Sequence, residues 1–327
     1  MKYTGTVSIH KNKREARMEE PGTPQVSAAK VIAAFAVIYI VWGSTYFFIH
    51  MAIQDMPVTV MGAFRFLTAG LLMTGWCLIS GEKLFVWKDI LFAFFIGFLL
   101  LFIGNGAVAW SEQFLASSVV AVFLASTPIW FVLLDFSKWK ANFTSAGIVA
   151  GLITGFAGII FLFKENMSGA LSGNGNKWET VSIGVLVIGS VSWVAGSLYS
   201  KYKTTTFSGA LNSGWQMLGA GLAYSITGGI RGDWKNFNWH EVSTSAWLAV
   251  SYLITMGSLL GYSAYVWLLK VRPATQVSTH AYVNPVVAVL LGVFLGAEKI
   301  SALQIAGLGV ILVGVLLMNL AKYRKQQ

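Results

Sequence analysis

Ten runs of about twenty mostly apolar residues succeed one another along the chain, and a helix that crosses a bilayer needs a run of that length. They cover roughly 30–51, 57–80, 89–110, 116–137, 143–163, 180–200, 207–230, 244–269, 274–296 and 301–320. Only 11% of the 327 residues are charged and 56% are hydrophobic, with a mean hydropathy of +0.66. A soluble protein carries about 25% charged residues. Too little polar surface remains to face water, so lipid is the expected solvent. The expected fold is therefore an all-α polytopic membrane protein with ten transmembrane helices. Segments 1–29 and 321–327 read as polar tails, and no secretory signal peptide is expected in the first of them.

Orientation follows from the basic residues. With the N-terminus inside, the inside segments hold 17 Lys and Arg and the outside segments 5, and Arg65 alone lies within a run, completing the 23. Every inside connector has at least two cations, so the positive-inside rule expects both termini in the cytoplasm. The net charge of +10 is spread between apolar runs, which is a topological signal and not a nucleic-acid footprint. The single Cys77 lies in an apolar run and excludes an intrachain disulfide.

The halves of the chain resemble each other. GSTY at 43–46 returns as GSLY at 196–199, GNGAVAW at 104–110 as GYSAYVW at 261–267, and Pro128 as Pro285. The offsets stay between 153 and 157 residues. Residues 30–163 and 180–320 thus read as two five-helix repeats joined by an external linker, 164–179. Because five is odd, the second repeat enters the membrane inverted, an architecture of secondary transporters with the solute site near the midplane.

WGSTYFFIHMAIQDMP…RF from residue 42, ASTPIW at 125–130 and YVNPVVAVLLGVFLGAEKIS at 282–301 resemble the drug/metabolite transporter superfamily, EamA-type, over about 30–320. The resemblance implies an inverted five-plus-five carrier, multi-pass in the plasma membrane (the bacterial inner membrane), in a family many of whose members export amino acids or other small metabolites. One departure is Leu-Gly-Ala-Glu at the end of the ninth run, where the family more often has Leu-Gly-Glu. Glu298 is displaced by one residue and is assigned no transport role.

Arg65 lies eight residues after Pro57, about 12 Å into the membrane at 1.5 Å per residue. A charge at the bilayer centre costs about 2.5–3.5 kcal/mol, so it should face a wet cavity or a partner. It reads either as the counter-charge of a solute carboxylate or as a clamp on backbone carbonyls or Asp55. Phosphate ligands call for several cations, and the apolar runs hold one. The helix-pattern breaks Gly43, Ser44, Gly196 and Ser197, with the prolines Pro128 and Pro285, form symmetric pairs suited to hinges. Trp42, Tyr46, Trp110, Trp193, Tyr199, Tyr265 and Tyr282 lie beside these breaks or in repeated segments and are candidate cavity walls. His280 and Asn284, four apart, share a helix face, with His280 either a proton acceptor or a packed histidine. Gly147, Gly151, Gly155 and Gly158 form a small-residue ridge for close helix packing.

The expected function is a secondary transporter, an exporter of small neutral or zwitterionic metabolites working by alternating access. The alternatives are a membrane-embedded enzyme or a channel. The four histidines are scattered with no metal motif, and no carbonyl selectivity filter or ATP-binding loop is apparent. Expected partners are a small-molecule solute, the lipid bilayer and a proton or other counter-ion. No cofactor, metal or nucleic acid is expected, and the chain reads as a monomer or dimer.

Overall fold

The computed structural model describes residues 27–115, 120, 123–170, 177–296 and 301–323. Among these, all regular structure is helical. We label the principal helices α1 (Ala28–Ile53), α2 (Val58–Ile79), α3 (Trp87–Ser111), α4 (Thr127–Leu134), α5 (Ala146–Ala170), α6 (Lys177–Tyr202), α7 (Gly209–Arg231), α8 (Thr244–Val271), α9 (His280–Gly296) and α10 (Ala302–Tyr323). Short helical turns link some of them, among them Trp139–Phe143, Asp233–Asn236 and Ala274–Val277.

Five of these helices, α1, α2, α3, α6 and α8, are long and apolar enough to cross a membrane. A sixth candidate is the bent pair Phe136–Phe143 and Ala146–Phe161, whose halves meet at 91°. The 23-residue α7 is long enough but carries Ser, Thr, Asn and Gln among its glycines. Side chains such as Ile79, Trp76, Leu91, Ile188 and Ile230 face outward, as expected where lipid replaces water.

The helices pair non-sequentially. α2 lies along α7, α5 along α10, α3 along α6, and α1 against both α8 and α9, while α4 touches α6. Small residues permit these approaches. A Cβ at Gly155 would stand 2.6 Å from the Tyr282 ring, and one at Gly314 would stand 2.5 Å from the Gly155 nitrogen. The ridge read from the sequence is thus the seam between α5 and α10.

Loop contacts join the pairs at the ends. Asp55 accepts from the Ser243 backbone N–H at 3.0 Å and from its hydroxyl, which hold the carboxyl below the ordinary aspartate range. Thr59 donates to Asp233 at 2.6 Å. At another set of ends, Thr206 N–H donates to Asp89 at 2.9 Å and Ser208 to Glu82 at 3.0 Å.

Three expectations change. The linker expected at 164–179 is shorter, because α5 continues to Ala170 and α6 begins at Lys177. Gly43–Ser44 and Gly196–Ser197 do not break their helices, since α1 and α6 run through them unbroken. Gly43 is a packing position instead, where a Cβ would meet that of Val287 at 2.5 Å, and Gly196 faces Leu99 at 3.1 Å. The irregular backbone lies elsewhere, in π-helical stretches Phe98–Gly104 within α3 and Leu253–Tyr262 within α8. Such stretches leave the regular i→i−4 ladder and are frequent at functional sites. The tails 1–26 and 324–327 and Glu298 lie outside the described residues.

Candidate functional site: a central polar cavity

A cavity of ≈ 90 Å³ lies between α1, α2, the two π stretches, α4, α6 and α9. Its wall carries Trp42, Tyr46, Arg65, Trp193, His280 and Asn284, six of the ten binding candidates read from the sequence. Asn105, Thr45, Thr127, Ser190, Ser258 and Tyr262 add polar groups that the sequence reading missed. Asn105 was within reach, because it sits in the repeated segment GNGAVAW.

Arg65 comes from the middle of α2 and is only 4% exposed. Its Nε donates to Ser258 Oγ at 2.9 Å and its Nη1 to Asn105 Oδ1 at 3.4 Å. A guanidinium has five N–H donors, so these two bonds orient it without consuming it. Gly257 keeps the space open, since a Cβ there would stand 3.1 Å from Nη2. Asp55 is not its partner, being engaged by Ser243, and no described carboxylate lies within ion-pair distance of Arg65. Of the structural readings of Arg65, the clamp on Asp55 is therefore removed, and a clamp on neutral groups stands beside the solute counter-charge.

Two prolines stand near the same space. Proline has no N–H, so Pro285 within α9 offers no helical donor to the Ala281 carbonyl, whereas Pro128 stands in the first turn of α4, where no intrahelical bond is lost. Ala281 lines the cavity. Pro128 thus opens a helix and does not kink the middle of one. His280 Nδ1 lies 2.9 Å from the Val277 carbonyl, which can only accept, so Nδ1 carries the proton and Nε2 is left as an acceptor. Asn284 is best placed with its Nδ2 donating to the carbonyls of His280 at 2.9 Å and Ile38 at 3.2 Å.

An aromatic wall closes one side. The Trp42 ring centroid is 5.5 Å from Trp193, 4.9 Å from Tyr265 and 5.1 Å from His280. Tyr265 is fully buried behind this wall and fixes it, bonding Trp193 Nε1 at 2.9 Å and the Ser197 hydroxyl at 2.6 Å. On α1, Ser44 bonds the Tyr252 hydroxyl at 2.7 Å, away from this wall. Tyr265→Phe strips Trp193 of its acceptor, and an unsatisfied buried group costs about 1–3 kcal/mol. The expected result is a clear drop in the melting temperature of the purified protein. Tyr282→Phe, which forfeits only a bond to the Leu152 carbonyl at 3.1 Å, should give a smaller one.

Three candidates lie away from the cavity. Trp110 packs against Phe114 and Trp178 and lines a separate pocket. Tyr199 is 43% exposed and packs on Phe92 and Phe95. Tyr282 is buried at the α5–α10 seam. Among the described residues no group of three or more His, Cys, Asp or Glu could hold a metal.

Comparison with known proteins bears on the family of the chain. An uncharacterized inner membrane transporter of Escherichia coli, YedA, is 39% identical over 295 residues, 90% of this chain and 92% of its own. A WAT1-related chloroplastic protein of Arabidopsis thaliana is 28% identical, over 81% of this chain and 64% of its own. A crystal structure only 16% identical in sequence shares the fold, with a TM-score of 0.72 over 92% of this chain and 100% of its own. The model of the EamA-like transporter family matches residues 29–164 and 180–320. With an all-helical, lipid-facing body built around a polar cavity, the chain belongs to the EamA-like transporter family.

Proposed function

We propose that the chain is a secondary carrier of the inner membrane that exports small neutral or zwitterionic metabolites, such as amino acids, by alternating access through the central cavity. The observation that carries this reading is Arg65, a permanent cation 4% exposed on the cavity wall, oriented by neutral partners and paired with no described carboxylate. A solute carboxylate fits its planar donor fork. The Ala281 carbonyl, freed by Pro285, and the faces of Trp42 and Trp193 suit an ammonium group of the same solute.

The body of such a carrier would be ten spans in two inverted repeats with cytoplasmic termini. Contact symmetry supports this. A shift by half the chain carries α1–α5 onto α6–α10, and under it the α1–α9 contact becomes α6–α4 and α3–α6 becomes α8–α1, while α2–α7 and α5–α10 map onto themselves. The π stretches in α3 and α8 also correspond. Loop contacts join segments expected on the same side, Asp55 with Ser243 outside and Asp89 with Thr206 inside. Further support comes from the two segments matched by the family model, whose bounds lie within a residue of the two halves.

Two measurements test the proposal. In proteoliposomes, saturable counterflow of a labelled amino acid is expected, and the absence of counterflow across a broad panel of small zwitterions refutes the substrate class. For topology, Gly173→Cys in a Cys77→Ser background should react with an impermeant maleimide in intact cells. Labelling only after permeabilisation would rule out the inverted arrangement.

A further inference from the structure

A second cavity, of ≈ 590 Å³, opens where the ends of α4, α6 and α8 meet the turn preceding α9. Lys138, Lys201, Lys270 and Arg272 line it, against the single carboxylate of Asp135. They come from three different connectors, so only the folded chain assembles them. Asp135 is already held by the Tyr202 hydroxyl at 2.7 Å, and Lys201 caps the end of α8 through the Arg272 carbonyl at 2.7 Å and that of Leu269. Arg272 spends one Nη1 hydrogen on the Val271 carbonyl at 3.1 Å. Lys138, Lys270 and the rest of the Arg272 fork border the cavity beyond these bonds.

One further group points to a ligand. Asn142 is only 4% exposed and lines this cavity, yet its amide nitrogen, a double donor, has no hydrogen-bond partner among the described residues. A buried unsatisfied donor is costly, about 1–3 kcal/mol, and a bound acceptor would relieve it. Several cations with a neutral N–H donor form the donor set that a multi-oxygen anion requires. Arg65 alone cannot supply that set in the central cavity.

We infer that this cavity binds a phosphoryl oxyanion, with Lys138, Lys270 and Arg272 neutralising its charge and the Asn142 amide donating to one of its oxygens. Such a group comes either from a phospholipid headgroup or from a phosphate-bearing solute. The headgroup is within reach of the rim. The helical turns Phe136–Phe143 lie at 91° to Ala146–Phe161, and Phe136, Trp139 and Phe143 on them are exposed, the aromatic residues that seat at a lipid interface.

The test uses full-length purified protein and needs no transport assay, so it stands or falls apart from the carrier reading. Native mass spectrometry would count retained phosphatidylglycerol against phosphatidylcholine, and titration calorimetry would follow inorganic phosphate. Wild type is expected to bind one of the two phosphoryl probes. The triple variant Lys138→Gln, Lys270→Gln, Arg272→Gln should weaken that binding by about tenfold or more, from the loss of charge-assisted bonds. Asn142→Leu should weaken it as well, and Arg65→Ala should leave it unchanged. Preferential retention of phosphatidylglycerol that phosphate does not displace identifies a lipid headgroup. Saturable phosphate binding without lipid preference identifies a soluble source. The assignment is overturned if wild type binds neither probe, or if the triple variant and Asn142→Leu bind both as wild type does. Should the triple variant melt early without ligand, the single substitutions Lys138→Gln and Lys270→Gln carry the same comparison.

Discussion

Arg65→Ala is expected to lower transport of carboxylate-bearing solutes by at least about thirtyfold, since truncating one side of a buried charged pair costs about 2–5 kcal/mol. In the resting protein the guanidinium is held by Ser258 and Asn105, both neutral, so its removal leaves no orphaned charge behind. The fold should therefore survive, and the loss should fall on the solute. Arg65→Lys keeps the charge but loses the planar fork that bonds Ser258 and Asn105 together, and transport should fall to an intermediate level. The measurement is counterflow in proteoliposomes normalised to monodisperse protein. Uniform loss of folded protein in both variants would return Arg65 to a structural role. Undiminished transport by well-folded Arg65→Ala would remove it from the solute path.

Gly97→Ala is expected to be the most damaging single methyl in the described part of the protein. An added Cβ would stand 1.9 Å from the Gln216 carbonyl oxygen and 2.7 Å from its carbon. Both are backbone atoms of α7, so no rotamer change can relieve the overlap, and α3 must move away from α7. Overpacking costs about 1–3 kcal/mol and occasionally more, and a backbone contact puts this case at the upper end. The movement would also shift the π stretch that begins at Phe98 and borders the cavity at Leu101 and Gly104. Gly75→Ala in α2 is the control, because nothing lies within 4 Å of its Cβ position. It should match or slightly exceed wild-type stability, alanine being the better helix former by about 0.5–1 kcal/mol. Comparable melting temperatures for the two variants would contradict the close packing of α3 on α7.

Much of the site was legible in the sequence because its signals are local or periodic. A cation in an apolar run is visible without any fold, and Arg65 proved to line the cavity. Trp42 adjoins Gly43 and Trp193 lies about one helical turn before Gly196, and the two rings meet edge to face. Tyr199 and Tyr282 obeyed the same rule and lie elsewhere, because adjacency in sequence does not say which way a helical side chain points. Asn105 and Ser258, 40 and 193 residues from Arg65, carry no sequence mark as its partners.

The sequence by itself determined that this chain lives in lipid and roughly where its helices run, because hydropathy is a property of the chain read in order. Only the tertiary structure decided where the helices deviate. Gly43–Ser44 and Gly196–Ser197 look like breaks, yet α1 and α6 pass through them unbroken. A glycine without a Cβ can serve a bend or a close approach, and only the partner helix settles which. Here Val287 and Leu99 occupy the space that a side chain would need. The π stretches in α3 and α8 had no such signal, because the same backbone groups can close either an α or a π turn and the balance is set by what packs around them. The basic end cavity belongs to the same class. Lys138, Lys201, Lys270 and Arg272 read in order as markers of membrane orientation, and become one charged chamber only when three connectors converge.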